Sequence, residues 1–176
     1  FRGLLARAGI PGVTLKNAPD KRQTLIRYRT ATVLYADAIG FENISREDDS
    51  KMWVDSLDEI FIKLQQIITR FEIQNLRTIG DTIMCIGGIP RKNITNPVEV
   101  LLAAVEMQYY LRDLQRSQST GKIWKLRIGI HTGTVMASVS GKKKPHYEIK
   151  GDTVNLAARI RQFSKEGQIL ISATTY

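Results

Sequence analysis

The sequence predicts an α+β fold with a ferredoxin-like βαββαβ core, and three observations carry the prediction. A β-branched and aromatic run, TATVLYAD (30–37), reads as a buried strand. A long stretch with apolar residues at helical spacing follows it. Then two apolar runs meet at Gly80-Asp81 as a hairpin, with a second helical stretch and another strand behind them. Strand, helix, strand, strand, helix, strand is the order of the split βαβ unit, an antiparallel sheet with helices on one face. The remaining sequence adds a hairpin, a helix and a strand.

Taken in order, residues 1–23 mix Gly, Pro and basic residues without a sustained period and read as a connector, so the domain runs from Thr24 to Tyr176. The first strand ends at Asp37, before the turn residue Gly40. The first helix is expected to start from Asp49 or Ser50 as N-cap. It would present Trp53, Leu57, Ile60, Phe61, Leu64, Ile67, Ile68 and Phe71 as one apolar face. Glycine at the first central position of the Gly80-Asp81 loop favours a type II′ turn, pairing Ile79 with Thr82 and Arg77 with Met84. Asn96-Pro97 supplies a cap and a first-turn proline, and Leu101, Leu102, Val105 and Tyr109 are offered to a core. KLRIGIH (125–131) is a strand and TVMASVS (134–140) its expected hairpin partner. A third helix is expected from Asp152 through GDTVNLAARIRQF, and QILIS closes with a strand.

Composition narrows what such a domain does. With 176 residues, 43% hydrophobic and 24% charged, the chain can bury a sizeable core, and disorder is not the default. A net charge of +9, from 26 Lys+Arg against 17 Asp+Glu, favours polyanions: nucleic acid, acidic lipid or nucleotide phosphates. Cys85 is the only cysteine, which excludes an internal disulfide framework and a multi-cysteine zinc site and fits a reducing compartment. It reads as a small core residue. No apolar run approaches the roughly 18 residues of a membrane span, and no signal-peptide pattern opens the chain, so this piece is expected to be soluble. Phe1 at the start and ISATTY at the end suggest a piece of a longer protein.

The topology has a chemical consequence. The first strand neighbours the hairpin, so Asp37 and Asp81 should approach each other at one sheet edge. Two carboxylates there suit hard divalent cations that keep some ligand positions for substrate phosphates. The alternative is that Asp37 serves the turn before Gly40 and Asp81 supplies only turn chemistry.

Four segments, VLYADAIGF, LRTIGDTIMCIGGIP, IGIHTGTVMASVSG and PHYEIKGDTVNLAARI, resemble in order and spacing the motifs of class III nucleotidyl cyclase catalytic domains, the adenylate and guanylate cyclases. The resemblance covers the chain from about Thr30 to its end. It implies that Asp37 and Asp81, with the backbone carbonyl of Ala38, hold two divalent cations, Mg²⁺ or Mn²⁺. One would activate the ribose 3′-hydroxyl and the other steady the triphosphate. It implies that Asn155 orients the ribose and Arg159 stabilises charge on the reacting phosphate. Gly40, Phe41 and Glu42 fall at the triphosphate, with Glu42 replacing the usual threonine or serine, a change expected to weaken phosphate affinity.

Arg77 and Glu148 fall where the family keeps its base-selecting pair and match neither usual combination. Hydrogen-bond polarity then decides. Arginine only donates and ionised glutamate only accepts, which suits the N1 acceptor and exocyclic amine of adenine; guanine reverses both groups. Unmet buried groups cost on the order of 1–3 kcal/mol each. The expectation is an adenylate cyclase acting on ATP, with GTP as the alternative substrate and a simple Arg77–Glu148 ion pair as the bland one. Both catalytic sets on one chain imply a homodimer. An upstream regulatory domain and a cytoplasmic location, alone or as the cytoplasmic portion of a membrane-anchored protein, are also expected. The family's last strands and phosphate-contacting lysine would lie beyond Tyr176.

The other prominent features read plainly. Lys142, Lys143 and Lys144 form a solvated loop, and no nucleic-acid partner is expected. His131 is structural or a dimer contact, and the Asn43 and Asn93 tripeptides match a glycosylation pattern that an intracellular protein would not use. Polymerase palms and diguanylate cyclases place two aspartates similarly, although IGDT lacks the latter's signature. A silent nucleotide-sensing or dimerising module of the same fold also remains open.

Overall fold

The computed structural model describes residues 25–40, 47–117, 124–140 and 146–176, with side chains in the first helix from Val54 onward. The chain builds on β1 (Leu25–Ile39), longer at both ends than the expected run. β1 lies between β3 (Thr82–Gly87) and β4 (Lys125–Ser140), and the sheet order is β2-β3-β1-β4-β5, with β6 beside β4. β2 is Gln74–Ile79, β5 His146–Lys150 and β6 Ile169–Ile171. Neighbours along the main path are antiparallel, and β6 runs parallel to β4. The βαββαβ core is completed by α1 (Glu47–Arg70) and α2 (Asn96–Ser117), and β5, α3 (Asp152–Phe163) and β6 are the additions.

Strand periodicity divides β1 between two cores. Leu34, Ala36 and Ala38 meet Ile83, Cys85, Leu126, Ile128 and Ile130, all under α1 and α2. Val33 and Tyr35 pack on the opposite face with Met84, Ile86, Val135, Ala137 and, from α3, Ala157. The two helices of the βαββαβ core, α1 and α2, thus cover one face as expected, and the added α3 covers the other. The first helix buries the expected Leu57, Ile60, Leu64, Ile67 and Ile68, with Phe61 and Phe71 packed alongside. It begins at Glu47, so Asp49 and Ser50 lie inside it. The Trp53 side chain falls outside the described residues.

On α2 the buried stripe is Val100, Ala103, Ala104, Met107 and Leu111. Leu101 packs at its edge, while Leu102 and Tyr109 are 51% and 54% exposed. Two alanines on the buried face let the helix lie close to the sheet, and the larger residues chosen by hydrophobicity point away. Its start also moves: the Thr95 carbonyl accepts from the amide of Glu99 at 3.1 Å, so Thr95 holds the cap position. Asn96 is instead the first helical residue, fully buried, accepting from Thr32 Oγ1 at 2.6 Å and donating to the Asn93 carbonyl.

The largest departure is β4. Thr132-Gly133 was expected to turn the chain, but 125–140 is one strand paired with β1 along its length, and the hairpin partner of its second half is β5. Gly133 serves packing: a Cβ there would lie 2.6 Å from Thr153 Oγ1 at the start of α3. Gly129 does the same at the helix's other end, where a Cβ would meet the Arg161 amide nitrogen at 2.1 Å. The cap of α3 is Gly151, not Asp152, and Thr153 donates to the Thr134 carbonyl at 2.7 Å.

Two predictions follow from this packing. Gly129→Ala is expected to cost about 3 kcal/mol or to lift α3 from the sheet, because backbone rather than a flexible side chain fills the space; urea unfolding measures it. Cys85 is fully buried and its thiol is pushed up to about 12 by desolvation. Thiol-specific reagents at pH 8 should therefore leave the native protein unlabelled and label it fully in denaturant.

Candidate active site

The site grows from Asp37, the one buried charged side chain among the described residues, at 4% exposure. Strand register sets its neighbours. On one side it faces Thr82 of β3 and on the other Arg127 of β4. Thr82 Oγ1 donates to Asp37 Oδ1 at 2.8 Å, and Arg127 NH2 donates to Oδ2 at 2.9 Å. A second arginine arrives from the last turn of α3, where Arg161 NH1 donates to Oδ1 at 2.5 Å. Thr153, Ala157 and Arg161 recur every four residues, so the helix face that packs on Gly133 and Gly129 also delivers this guanidinium. Arg161 further lies 5.6 Å from the Tyr35 ring centroid.

The hairpin tip supplies the second carboxylate. Gly80 adopts φ 57, which glycine tolerates and the first position of a type II′ turn requires, and the expected Ile79–Thr82 and Arg77–Met84 pairs form. The Ala38 amide donates to the Asp81 carbonyl at 2.8 Å, fastening the tip to the end of β1. Asp37, Ala38, Ile39, Gly40, Asp81 and Arg127 line an open cavity of about 400 Å³, together with Ser164, Lys165 and Glu166 after α3.

Asp37, Asp81 and the Ala38 carbonyl are hard oxygen donors and could hold a divalent cation beside this cavity. Among the described residues no third acidic, histidine or cysteine side chain joins them. The donor type therefore fits, with one obstacle: both oxygens of Asp37 already bind arginines. The arginines are imperfectly satisfied, since the buried Nε of each has no hydrogen-bond partner, at about 1–3 kcal/mol apiece.

The other expected site residues lie apart from this cluster. Asn155 and Arg159 are exposed on α3, turned away from the face that carries Arg161. Arg77 is exposed on β2, in the cross-strand row of Met84 and Tyr35. Burial pushes the Tyr35 phenol up, partly offset by the Arg77 and Arg161 charges. Glu148 lies opposite Ser138 on β5 and pairs with Lys150 at 3.1 Å, so the Arg77–Glu148 bridge is not formed among the described contacts. Gly40 lines the cavity, whereas Phe41 and Glu42, like Lys142 to Lys144, fall outside the described residues. His131 accepts a structural place, its Nδ1 2.8 Å from Ser172 Oγ, and burial lowers its pKa. Sequence reading missed Arg127, Arg161 and Thr82. Only the four-residue spacing of Thr153, Ala157 and Arg161 was available as a signal.

Residues 24–176 match the family model of the adenylate and guanylate cyclase catalytic domain. The chain belongs to this family. Among curated relatives, the soluble guanylate cyclase subunit beta-2 of Rattus norvegicus is 30% identical over 149 residues, which is 85% of this chain and 22% of that protein. Atrial natriuretic peptide receptor 2 of Homo sapiens is 33% identical over 155 residues, 84% of this chain and 14% of the receptor. This cyclase domain thus spans a quarter or less of those relatives. Among solved structures, the catalytic core of a rhodopsin-guanylyl cyclase with converted specificity, in complex with ATPalphaS, superposes with a TM-score of 0.75 at 30% identity, covering 86% of this chain and 82% of that one. The adenylyl cyclase CyaB from P. aeruginosa gives 0.75 at 28% identity over 87% and 81%.

Removing Asp37 should expose how the cluster is balanced. Asp37→Ala leaves two partly buried guanidiniums facing each other without a counter-charge. It is expected to destabilise the metal-free protein by about 3 kcal/mol, measured by urea unfolding in the presence of a chelator.

Proposed function

We propose that this cyclase domain converts ATP to 3′,5′-cyclic AMP and pyrophosphate at sites shared between two copies of the chain. The observation that carries the reading is the meeting of Asp37 and Asp81 at the mouth of one cavity, in a chain of this family. Asp37, Asp81 and the Ala38 carbonyl would hold Mg²⁺ or Mn²⁺, which when bound supply Lewis-acid polarisation of phosphate oxygens and acidify the ribose 3′-hydroxyl.

In the reaction the 3′-oxygen forms a bond to the α-phosphorus, the bond from that phosphorus to the bridging oxygen breaks, and pyrophosphate leaves with the electron pair. The hydroxyl proton passes to solvent. Arg159 sets a fixed positive charge against the oxygens that gain charge, and Asn155 hydrogen-bonds the ribose to fix the attack angle. Both are exposed and turned from their own chain's Asp37, which suits service to a partner's site and supports the homodimer. Gly40 lines the cavity where the triphosphate would lie, with Phe41 and Glu42 next in sequence.

Arg77 would donate to adenine N1 and Glu148 accept from the exocyclic amine. Lys150 pairs with Oε1 of Glu148 at 3.1 Å, and Oε2 is the oxygen proposed to accept from the base. GTP is the second reading, favoured by the guanylate cyclase names of the relatives. The domain is proposed to work in the cytoplasm under an upstream regulatory domain. The small share of the receptor relatives that it spans supports this. Among the described residues no helix is long and apolar enough to cross a membrane.

Full-length protein incubated with ATP or GTP and Mg²⁺ or Mn²⁺ is expected to release cyclic AMP, identified by mass. Asp81→Ala, whose side chain carries no arginine, should lower the rate about a thousandfold, the scale of several kcal/mol of lost charge stabilisation. Preferential cyclic GMP would overturn the base assignment, and absence of turnover with either nucleotide would overturn the cyclase reading.

A further inference from the structure

We propose that Arg161 is a built-in competitor for the divalent cation at Asp37, so that the guanidinium must leave before metal can bind. The inference rests on the reading of Asp37 as a metal ligand.

Four observations converge. Asp37 presents one negative charge to two guanidiniums, so this carboxylate is already overcompensated before any metal arrives. A divalent cation would meet repulsion at the carboxylate meant to bind it. Of the two arginines, Arg127 is fixed by strand register directly opposite Asp37. Arg161 comes from a helix end, and its amide nitrogen sits against Gly129, so the backbone is held and any departure from Asp37 falls to the side chain. Its Nε is buried without a partner, which lowers the cost of leaving. Tyr35, 5.6 Å away, and the anionic oxygens of an arriving triphosphate in the adjoining cavity are alternative neighbours for the displaced charge.

The consequence is a coupling of metal and nucleotide. Without nucleotide, Arg161 holds Asp37 and metal binds weakly. A triphosphate gives the guanidinium a better partner and frees the carboxylate, so each ligand favours the other.

The test is Mn²⁺ binding to nucleotide-free protein, followed by electron paramagnetic resonance of the free ion. Arg161→Gln is expected to bind Mn²⁺ about tenfold more tightly than the unaltered protein, and Arg161→Lys, which keeps the charge on a single donor group, to fall between them. Circular dichroism checks that each variant is folded, and Arg161→Lys carries the comparison if Arg161→Gln does not fold. Equal or weaker Mn²⁺ binding in the folded variants overturns the proposal. Asp37→Asn in the Arg161→Gln background separates the two levels of inference. If tight binding survives that change, the ion is not on Asp37 and the metal reading fails as well. If binding is lost but Arg161→Gln had given no gain, only the competition is wrong.

Discussion

The pairing of β1 with β4 is the constraint on which the rest of the structure depends. Thirteen positions of β1 find partners on β4, with one irregularity between Tyr28 and Ala31. That register sets Arg127 opposite Asp37, Gly129 opposite Tyr35 and Thr132 opposite Thr32. The consequences run to both faces. Thr32 Oγ1 lies 2.9 Å from Thr132 Oγ1 and donates to Asn96, tying the strand pair to the start of α2. On the opposite face, Gly129 and Gly133 open a bed into which α3 settles, bringing Arg161 to Asp37.

A buried carboxylate in such a place has to be compensated, because desolvating a lone charge costs several kcal/mol. This protein compensates Asp37 with two arginines and a threonine. The same compensation stands in the way of a cation, so stability without metal and affinity for metal draw on the same oxygens. Asp81 differs: it lies on a turn, at the surface, with no arginine among its described contacts. The two aspartates are therefore unlike in physical terms, one held by two arginines and the other touched among the described contacts by the Thr82 hydroxyl at 3.3 Å.

The sheet's two cores divide the labour. The larger, beneath α1 and α2, contains aliphatic side chains with Trp124, whose indole nitrogen donates to Ser56 at 3.0 Å. The smaller, beneath α3, shares its face with Arg77, Tyr35, Asp37, Arg127 and Arg161. Polar groups concentrate on that second face, and Asn155 and Arg159 extend it outward along α3. Leu156 and Phe163 are exposed on the same helix, 40% and 80%, a mixture of apolar and charged groups that agrees with the proposed pairing of two copies.

By itself the sequence determined the order of the elements, the hairpin register at Gly80-Asp81, the buried stripe of α1 and the meeting of Asp37 with Asp81, because each follows from local periodicity, turn chemistry or neighbouring strands. Four linked motifs likewise made the family legible. Tertiary structure decided what depends on long-range contact. Thr132-Gly133 carries the residues of a turn, yet glycine there makes room for Thr153 and the strand continues. Asn96 has the side chain of a cap, yet Thr32, far away in sequence, claims it inside the core. Leu102 and Tyr109 are hydrophobic, yet the alanines let α2 pack closer. Arg127 and Arg161 read as ordinary surface cations until β4 lies beside β1 and α3 settles on its glycines. Only then does one carboxylate gather both, since partner choice for a charge is set by distance in space and not by position along the chain.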